Sequence, residues 1–206
     1  MTPPSPSILE HLGVTVGAMS GVLAARGKKI DLFGVLVLAV VTAFGGGTVR
    51  DTLVGDLPVV WLRGPWLLVN ATVTGLITFI IARWHEPPRR AFLVVDAIVL
   101  AAFAMIGTRK GLTMGFSAPV CILLGVVTGI AGGILRDVLM REVPVVFRSE
   151  IHLYATAALF GSALCLGLHA LGASESIAVP AGGIAVLLLR LAAIYWKLSL
   201  PLFETR

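Results

Sequence analysis

Residues 46–60 read Gly46-Gly47-Thr48-Val49-Arg50-Asp51-Thr52-Leu53-Val54-Gly55-Asp56-Leu57-Pro58-Val59-Val60. Residues 132–146 read Gly132-Gly133-Ile134-Leu135-Arg136-Asp137-Val138-Leu139-Met140-Arg141-Glu142-Val143-Pro144-Val145-Val146. The two stretches align without gaps 86 residues apart, and eight of the fifteen pairs are identical. An apolar chain repeats Leu and Val readily, but not Gly, Arg, Asp and Pro in the same order. The same offset pairs Thr42 with Thr128, Met19 with Met105, Gly21 with Gly107 and Glu10 with Asp96. The chain is an internal duplication.

Composition says what has been duplicated. Of 206 residues, 57% are hydrophobic and 13% charged, and the mean hydropathy is +0.97. Soluble domains carry about a quarter charged residues, so this chain has too little polar surface to cover a soluble globule. Cys121 and Cys165 lie inside apolar runs and make no disulfide framework. A bilayer core is about 30 Å thick and takes about 20 apolar residues of helix. Seven stretches meet that need, roughly residues 8–25, 32–53, 66–82, 91–107, 116–139, 152–171 and 177–198. Residues 1–7 are rich in Pro and Ser and are expected to be disordered; they have no basic region of the signal-peptide kind.

Each repeat holds three of these stretches, and three is odd. With only a short connector between the copies, the second must enter the membrane from the opposite side. The expected fold is an all-α polytopic membrane protein. It has a first three-helix repeat over residues 8–85, an inverted second over 91–171, and a seventh helix over 177–199. Alternating spans put Arg26, Lys28, Lys29, Arg83, Arg89, Arg90, Arg141, Arg148, Lys197 and Arg206 on one side, against Arg63, Arg109 and Lys110 on the other. Basic residues flanking spans stay cytoplasmic, so the C-terminus is expected inside and the N-terminus outside. This bias also accounts for the sequence pI of 9.8. No basic face interleaved with aromatics points to nucleic acid.

Glycine interrupts the second helix of each repeat: Gly45, Gly46 and Gly47 in one, Gly132 and Gly133 in the other. Each glycine costs a helix about 1 kcal/mol relative to Ala, so a kink or unwinding is expected here. Close helix packing by small residues is the competing reading. Backbone freed at depth persists only beside protein or a wet cavity, and two inverted breaks point to a path between them. The carbonyl end of a half-helix suits a cation and its N–H end an anion, so the breaks alone do not choose a sign.

Ionisable residues at depth are costly and usually face a cavity or a partner. Asp51 and Asp137 are expected to attract cations, and Arg50 and Arg136 to anchor or gate the two mouths. Thr42 and Thr128 could offer hydroxyls to the path or serve only in packing. Asp96 is read either as a partner for a basic residue or as part of the path lining. Arg190 is expected to snorkel toward the interface, and Pro58 and Pro144 to end the broken helices. The four histidines have no metal-ligand spacing, and neither a metal nor a cofactor is expected. No Gly-x-Ser-x-Gly, His-Glu-x-x-His or P-loop pattern is present, and no catalytic role is expected.

The arms Gly45-Gly46-Gly47-Thr48-Val49-Arg50-Asp51 and Gly132-Gly133-Ile134-Leu135-Arg136-Asp137, each followed by Pro-Val-Val, resemble the prokaryotic members of the trimeric intracellular cation (TRIC) channel family. The bacterial domain of that family is also catalogued as a glycine transporter domain. The likeness spans about residues 8 to 198. It implies a homotrimer in a bacterial or archaeal inner membrane, with a pore in each subunit. Gating would lie around the glycines of the second and fifth helices, and potassium or sodium would be the permeant ion. Animal members carry a Lys-Glu-Val signature between the fourth and fifth helices, where this chain has Gly107-Thr108-Arg109-Lys110-Gly111. Animal-type inositol-lipid regulation is therefore not expected, although Arg109 and Lys110 could still meet anionic lipid headgroups. The alternative function is a secondary transporter of a small zwitterion such as glycine, with Arg50 and Arg136 as carboxylate ligands.

Overall fold

A computed structural model describes residues 8–85, 88–148 and 153–198. The disorder expected for residues 1–7, the start of the sixth stretch at residue 152 and the end of the last segment at residue 199 lie outside the described residues. Every regular element among those described is helical: α1 (Ile8–Ala24), α2 (Leu32–Val54), a short α3 (Val60–Arg63), α4 (Pro65–Trp84), α5 (Arg89–Thr113), α6 (Ala118–Leu139), a 3-10 turn (Val145–Phe147), α7 (Tyr154–Ala170) and α8 (Glu175–Trp196). Five of the helices are long and apolar enough to cross a membrane. The apolar helices Ile8–Ala24 and Tyr154–Ala170 are 17 residues each, the lower limit of a spanning length.

Local signals place the ends. Asp31 caps α2 by accepting a hydrogen bond from the Gly34 amide at 2.8 Å, and Pro65 occupies the first turn of α4, where no donor is lost. α5 continues to Thr113, past the charged Arg109 and Lys110. Hydropathy marks where the apolar slab ends, not where the helix does. α4 buries one stripe, Leu67, Ala71, Gly75 and Thr78, and its other faces carry exposed apolar side chains. Trp66 and Trp84 stand exposed at its two ends, about 27 Å apart along the axis, where indole rings settle at the two membrane interfaces.

The two larger clusters of the core follow the duplication. Val14, Ala18, Leu38, Ala39, Leu67 and Ala71 join α1, α2 and α4. Leu100, Ala104, Met105, Ala158, Cys165 and Val186 join α5, α7 and α8, with Val126 and Ile130 of α6 packed against them. Within each repeat the first two helices meet in the same way. A Cβ on Gly21 would lie 2.5 Å from the Leu38 carbonyl oxygen, and one on its repeat mate Gly107 would lie 2.5 Å from that of Leu124.

The expected interruption of the second helices is corrected by the structure. Both α2 and α6 run as continuous helix through their glycines. The glycines serve contact between the helices: a Cβ on Gly46 would overlap the Thr128 carbonyl oxygen, and one on Gly132 would lie 2.5 Å from the Thr42 carbonyl oxygen. Thr42 meets Gly132 while Gly46 meets Thr128, so the two helices pass in opposite senses at this crossing. Backbone contact that close excludes any side chain, which is the packing reading of the glycines.

Candidate functional site

On either side of the glycine crossing lies an Arg–Asp pair, built alike in the two repeats. Arg50 Nε donates to Asp51 Oδ1 at 2.8 Å, and the other aspartate oxygen, Oδ2, accepts from the Val60 amide at 3.1 Å. Arg136 Nε donates to Asp137 Oδ1 at 2.7 Å, and Asp137 Oδ2 accepts from the Val145 amide at 2.8 Å. Each aspartate thus holds its neighbouring arginine and caps the short helical turn that follows Pro58 or Pro144. Neighbours in sequence on a helix usually diverge. Here the long arginine folds back to reach the carboxylate. Both oxygens of Asp51 and of Asp137 are engaged in this conformation, so neither offers a free carboxylate to a passing ion.

α2 and α6 end before the prolines, and the turn is made by left-handed backbone at the repeat mates Gly55 and Arg141, with φ 71° and 57°. Pro58 and Pro144 instead precede the short α3 and the 3-10 turn.

The two halves differ beyond the pairs. Arg136 is fully buried and also donates from Nη1 to Asp96 Oδ1 at 2.9 Å and to Ser20 Oγ at 2.8 Å. Its guanidinium lies 5.0 Å from the Phe92 ring centroid. Arg190, expected to snorkel, is instead fully buried with its guanidinium 4.7 Å from the Tyr154 ring centroid, within electrostatic reach of Asp96. Asp96 is thus paired with a basic residue in this conformation. Arg50 borders a cavity of about 20 Å³ that it shares with Glu10, Phe103 and Ile106. That is room for about one water, too narrow for a hydrated ion. The repeat offset explains the difference, since the mate of Ser20 is Ile106 and the mate of Gly17 is Phe103. One half seals its arginine with a hydroxyl and a carboxylate; the other has a small space lined by Glu10 and apolar side chains.

Thr42 and Thr128 hydroxyls donate to the Leu38 and Leu124 carbonyls, at 2.6 and 2.5 Å, within their own helices. Gly45 meets Leu135 and Gly132 of α6, while a Cβ on Gly47 or Gly133 would find only ordinary contact, 3.7 or 3.6 Å from the nearest atom. Ser20, Tyr154 and Arg190 were not singled out as site residues by sequence reasoning. The repeat alignment held a clue to Ser20, because a serine facing an isoleucine breaks the pattern of the core. Among the described residues no group of three or more His, Cys, Asp or Glu side chains could hold a metal. A larger groove of about 690 Å³ between α1, α5 and α8 is lined chiefly by apolar side chains. Arg109 and Glu175 sit at its rim as an exposed pair at 2.9 Å. It lacks the polar lining an ion needs.

Outside the spans, Asp56 is held by Arg63 at 2.5 Å and by Lys110. Those hydrogen bonds, Arg63 first, lower its pKa from 3.8 to about 2. The stabilisation from this ionised carboxylate is complete above pH 3.8 and is lost as the pH falls through about 2. Acid unfolding of wild-type protein followed by circular dichroism should therefore steepen between pH 4 and 2, and an Asp56→Asn variant should lack that component.

Comparison with known proteins places this arrangement among relatives. A family model described as Glycine transporter matches twice, over residues 7–83 and 93–170, starting 86 residues apart as the repeat does. A Vibrio cholerae protein named UPF0126 membrane protein is 45% identical over 199 residues, covering 95% of this chain and 82% of its own length. The Escherichia coli K12 UPF0126 inner membrane protein YadS is 42% identical over 197 residues, covering 95% and 94%. The TRIC channel orthologue of Rhodobacter sphaeroides superposes with a TM-score of 0.87 at 37% identity, covering 93% of this chain and 97% of that one. A prokaryotic TRIC channel solved in 0.5 M KCl gives 0.85 at 28% identity, covering 94% and 97%.

Proposed function

We propose that this chain, which belongs to the TRIC-like family of multi-pass bacterial membrane proteins, is a cation channel whose ion path follows the seam between α2 and α6. The observation that carries the reading is the buried charge along that seam: Arg50, Asp51, Arg136, Asp137 and Asp96 are all buried within an otherwise apolar bundle. Such residues are expensive in lipid and mark ion pathways in membrane proteins. The solved relatives described as cation channels add weight.

In the fuller form of the proposal, two inverted three-helix repeats, residues 8–85 and 91–171, and a seventh helix over 177–199 span the inner membrane. The N-terminus is outside and the C-terminus cytoplasmic. Three copies assemble, as the trimeric relative's description suggests, and each has its own pore. Potassium and sodium permeate. Gating is a relative movement of α2 and α6 about Gly46 and Gly132, with Arg50 and Arg136 at the two mouths, and anionic headgroups meet the basic residues at the membrane surfaces. The conformation described is closed, with Arg50 beside a one-water cavity and Arg136 locked to Asp96 and Ser20.

Purified protein in a planar bilayer under a potassium gradient tests the reading. Unitary currents reversing near the potassium potential are expected. Saturable glycine uptake into proteoliposomes with no unitary conductance would overturn the channel and favour the transporter.

A further inference from the structure

The repeat mates Asp56 and Glu142 follow the left-handed turns at Gly55 and Arg141, and their backbone geometry matches. The Asp56 amide donates to the Asp51 carbonyl at 2.9 Å, and the Glu142 amide to that of Asp137 at 2.9 Å. Their side chains share a further pattern that neither the Gly-Gly crossing nor the Arg–Asp pairs require. Each carboxylate binds two cations, one from its own repeat and one from the other. Asp56 binds Arg63 at 2.5 Å within the first repeat, and Lys110, in the last turn of α5, from the second. Glu142 binds Arg148 at 3.3 Å within the second repeat, and Lys28, just beyond the end of α1, from the first.

The positions give these bridges their consequence. α2 and α6 pass in opposite senses, so Asp56 and Glu142 lie at opposite ends of the crossing. Each bridge ties the exit of one repeat's glycine-bearing helix to the end of the other repeat's first helix. A relative movement of α2 and α6 that widens the seam must separate each carboxylate from the lysine of the opposite repeat. The bridges are half-exposed, with side-chain exposures of 24–40%, so water can solvate the charges on release. Partly exposed pairs are individually weak, which suits a contact that must break and re-form. The buried Arg–Asp pairs, by contrast, would be stranded by rupture.

We propose that Asp56–Lys110 and Glu142–Lys28 are a pair of latches, one at each mouth, that hold the seam closed by tying the two repeats together. This rests on the channel reading above. Both latches weaken as rising ionic strength screens them, so the closed state loses ground in high salt. Because the two are separate contacts at opposite ends, their effects on the open-to-closed ratio multiply.

The test uses the full chain in planar bilayers, with Asp56→Asn, Glu142→Gln, the double variant, and the exchanged pair Lys28→Glu with Glu142→Lys, made with Arg148→Gln so that the new lysine meets no second cation. Each single neutralisation is expected to raise the open-to-closed ratio about two- to fivefold, the double by the product, and the exchange to restore the wild-type ratio. Currents unchanged in both singles, or an exchange that fails to restore a ratio shifted by Glu142→Gln, would overturn the latches. Amide hydrogen exchange on the same proteins in nanodiscs supplies a reading independent of current. Protection should fall only at the mouth carrying the substitution and return in the exchanged pair. Uniform loss across the bundle, or none at either mouth, would count against the latches even if the wild type conducts. A wild type without current but with the local, reversible exchange pattern would sink the channel reading and leave the bridges standing.

Discussion

Gly46→Ala should destabilise the bundle while Gly47→Ala, one residue on, should not. A methyl group at position 46 would overlap the Thr128 carbonyl oxygen, a backbone atom of the facing helix that cannot rotate aside. Overpacking of this kind costs about 1–3 kcal/mol, and the about 1 kcal/mol gained in helix propensity offsets only part. The net expected loss is up to about 2 kcal/mol. At position 47 the nearest atom to the new methyl is Arg50 Nη2 at 3.7 Å, so the propensity gain stands alone and the variant should match or exceed wild type. The second repeat gives an internal replicate: Gly132→Ala should fail and Gly133→Ala survive. Thermal denaturation of the four variants in detergent, followed by tryptophan fluorescence, separates the readings. If all four lowered the midpoint alike, the glycines would be serving flexibility and not the close crossing.

Arg136→Gln is expected to be the most damaging change in the second half. Its loss leaves Asp96 and Asp137, both buried, without the guanidinium that neutralises them. Breaking a buried ion pair from one side costs about 3–5 kcal/mol, and here one side chain serves two carboxylates and a serine. Asp96→Asn added to Arg136→Gln should recover part of the loss, because the two residues act on the same charge. Arg50→Gln strands Asp51, but a cavity with room for a water adjoins the substituted side chain, so the change should cost less. Chemical denaturation in mixed micelles measures all three. An Arg136→Gln protein as stable as wild type, or strictly additive effects with Asp96→Asn, would contradict the buried network.

The duplication, the apolar segments and the Arg–Asp pairs were legible in the sequence because each is a local or periodic signal. A repeat offset needs no knowledge of contacts, and hydropathy reports the slab through which a helix must pass. The glycines were ambiguous for a physical reason: low helix propensity and close packing select the same residue. Only the position of the facing Thr128 and Thr42 carbonyls decides between them. The aspartates were read as cation attractors on charge alone. Their occupation by an arginine and a backbone amide depends on how the chain turns after Val54 and Leu139. Arg190 misled because a long basic side chain near a helix end usually snorkels. Tyr154 and Asp96, brought to it by α7 and α5, give it a reason to stay inside. Asp56 and Glu142 were visible as repeat mates, but their lysines lie 54 and 114 residues away in the chain.

An ion path along the α2–α6 seam past Arg50 is tested by potassium current through Ile106→Cys protein, in a Cys121→Ala, Cys165→Ala background, during exposure to a charged water-soluble thiol reagent. Ile106 lines the small cavity beside Arg50, while Leu123 faces outward, 60% exposed. Modification of Ile106→Cys should block or sharply reduce the current, and modification of a Leu123→Cys control should leave it unchanged. Full current after complete modification at position 106 would place the ion path elsewhere.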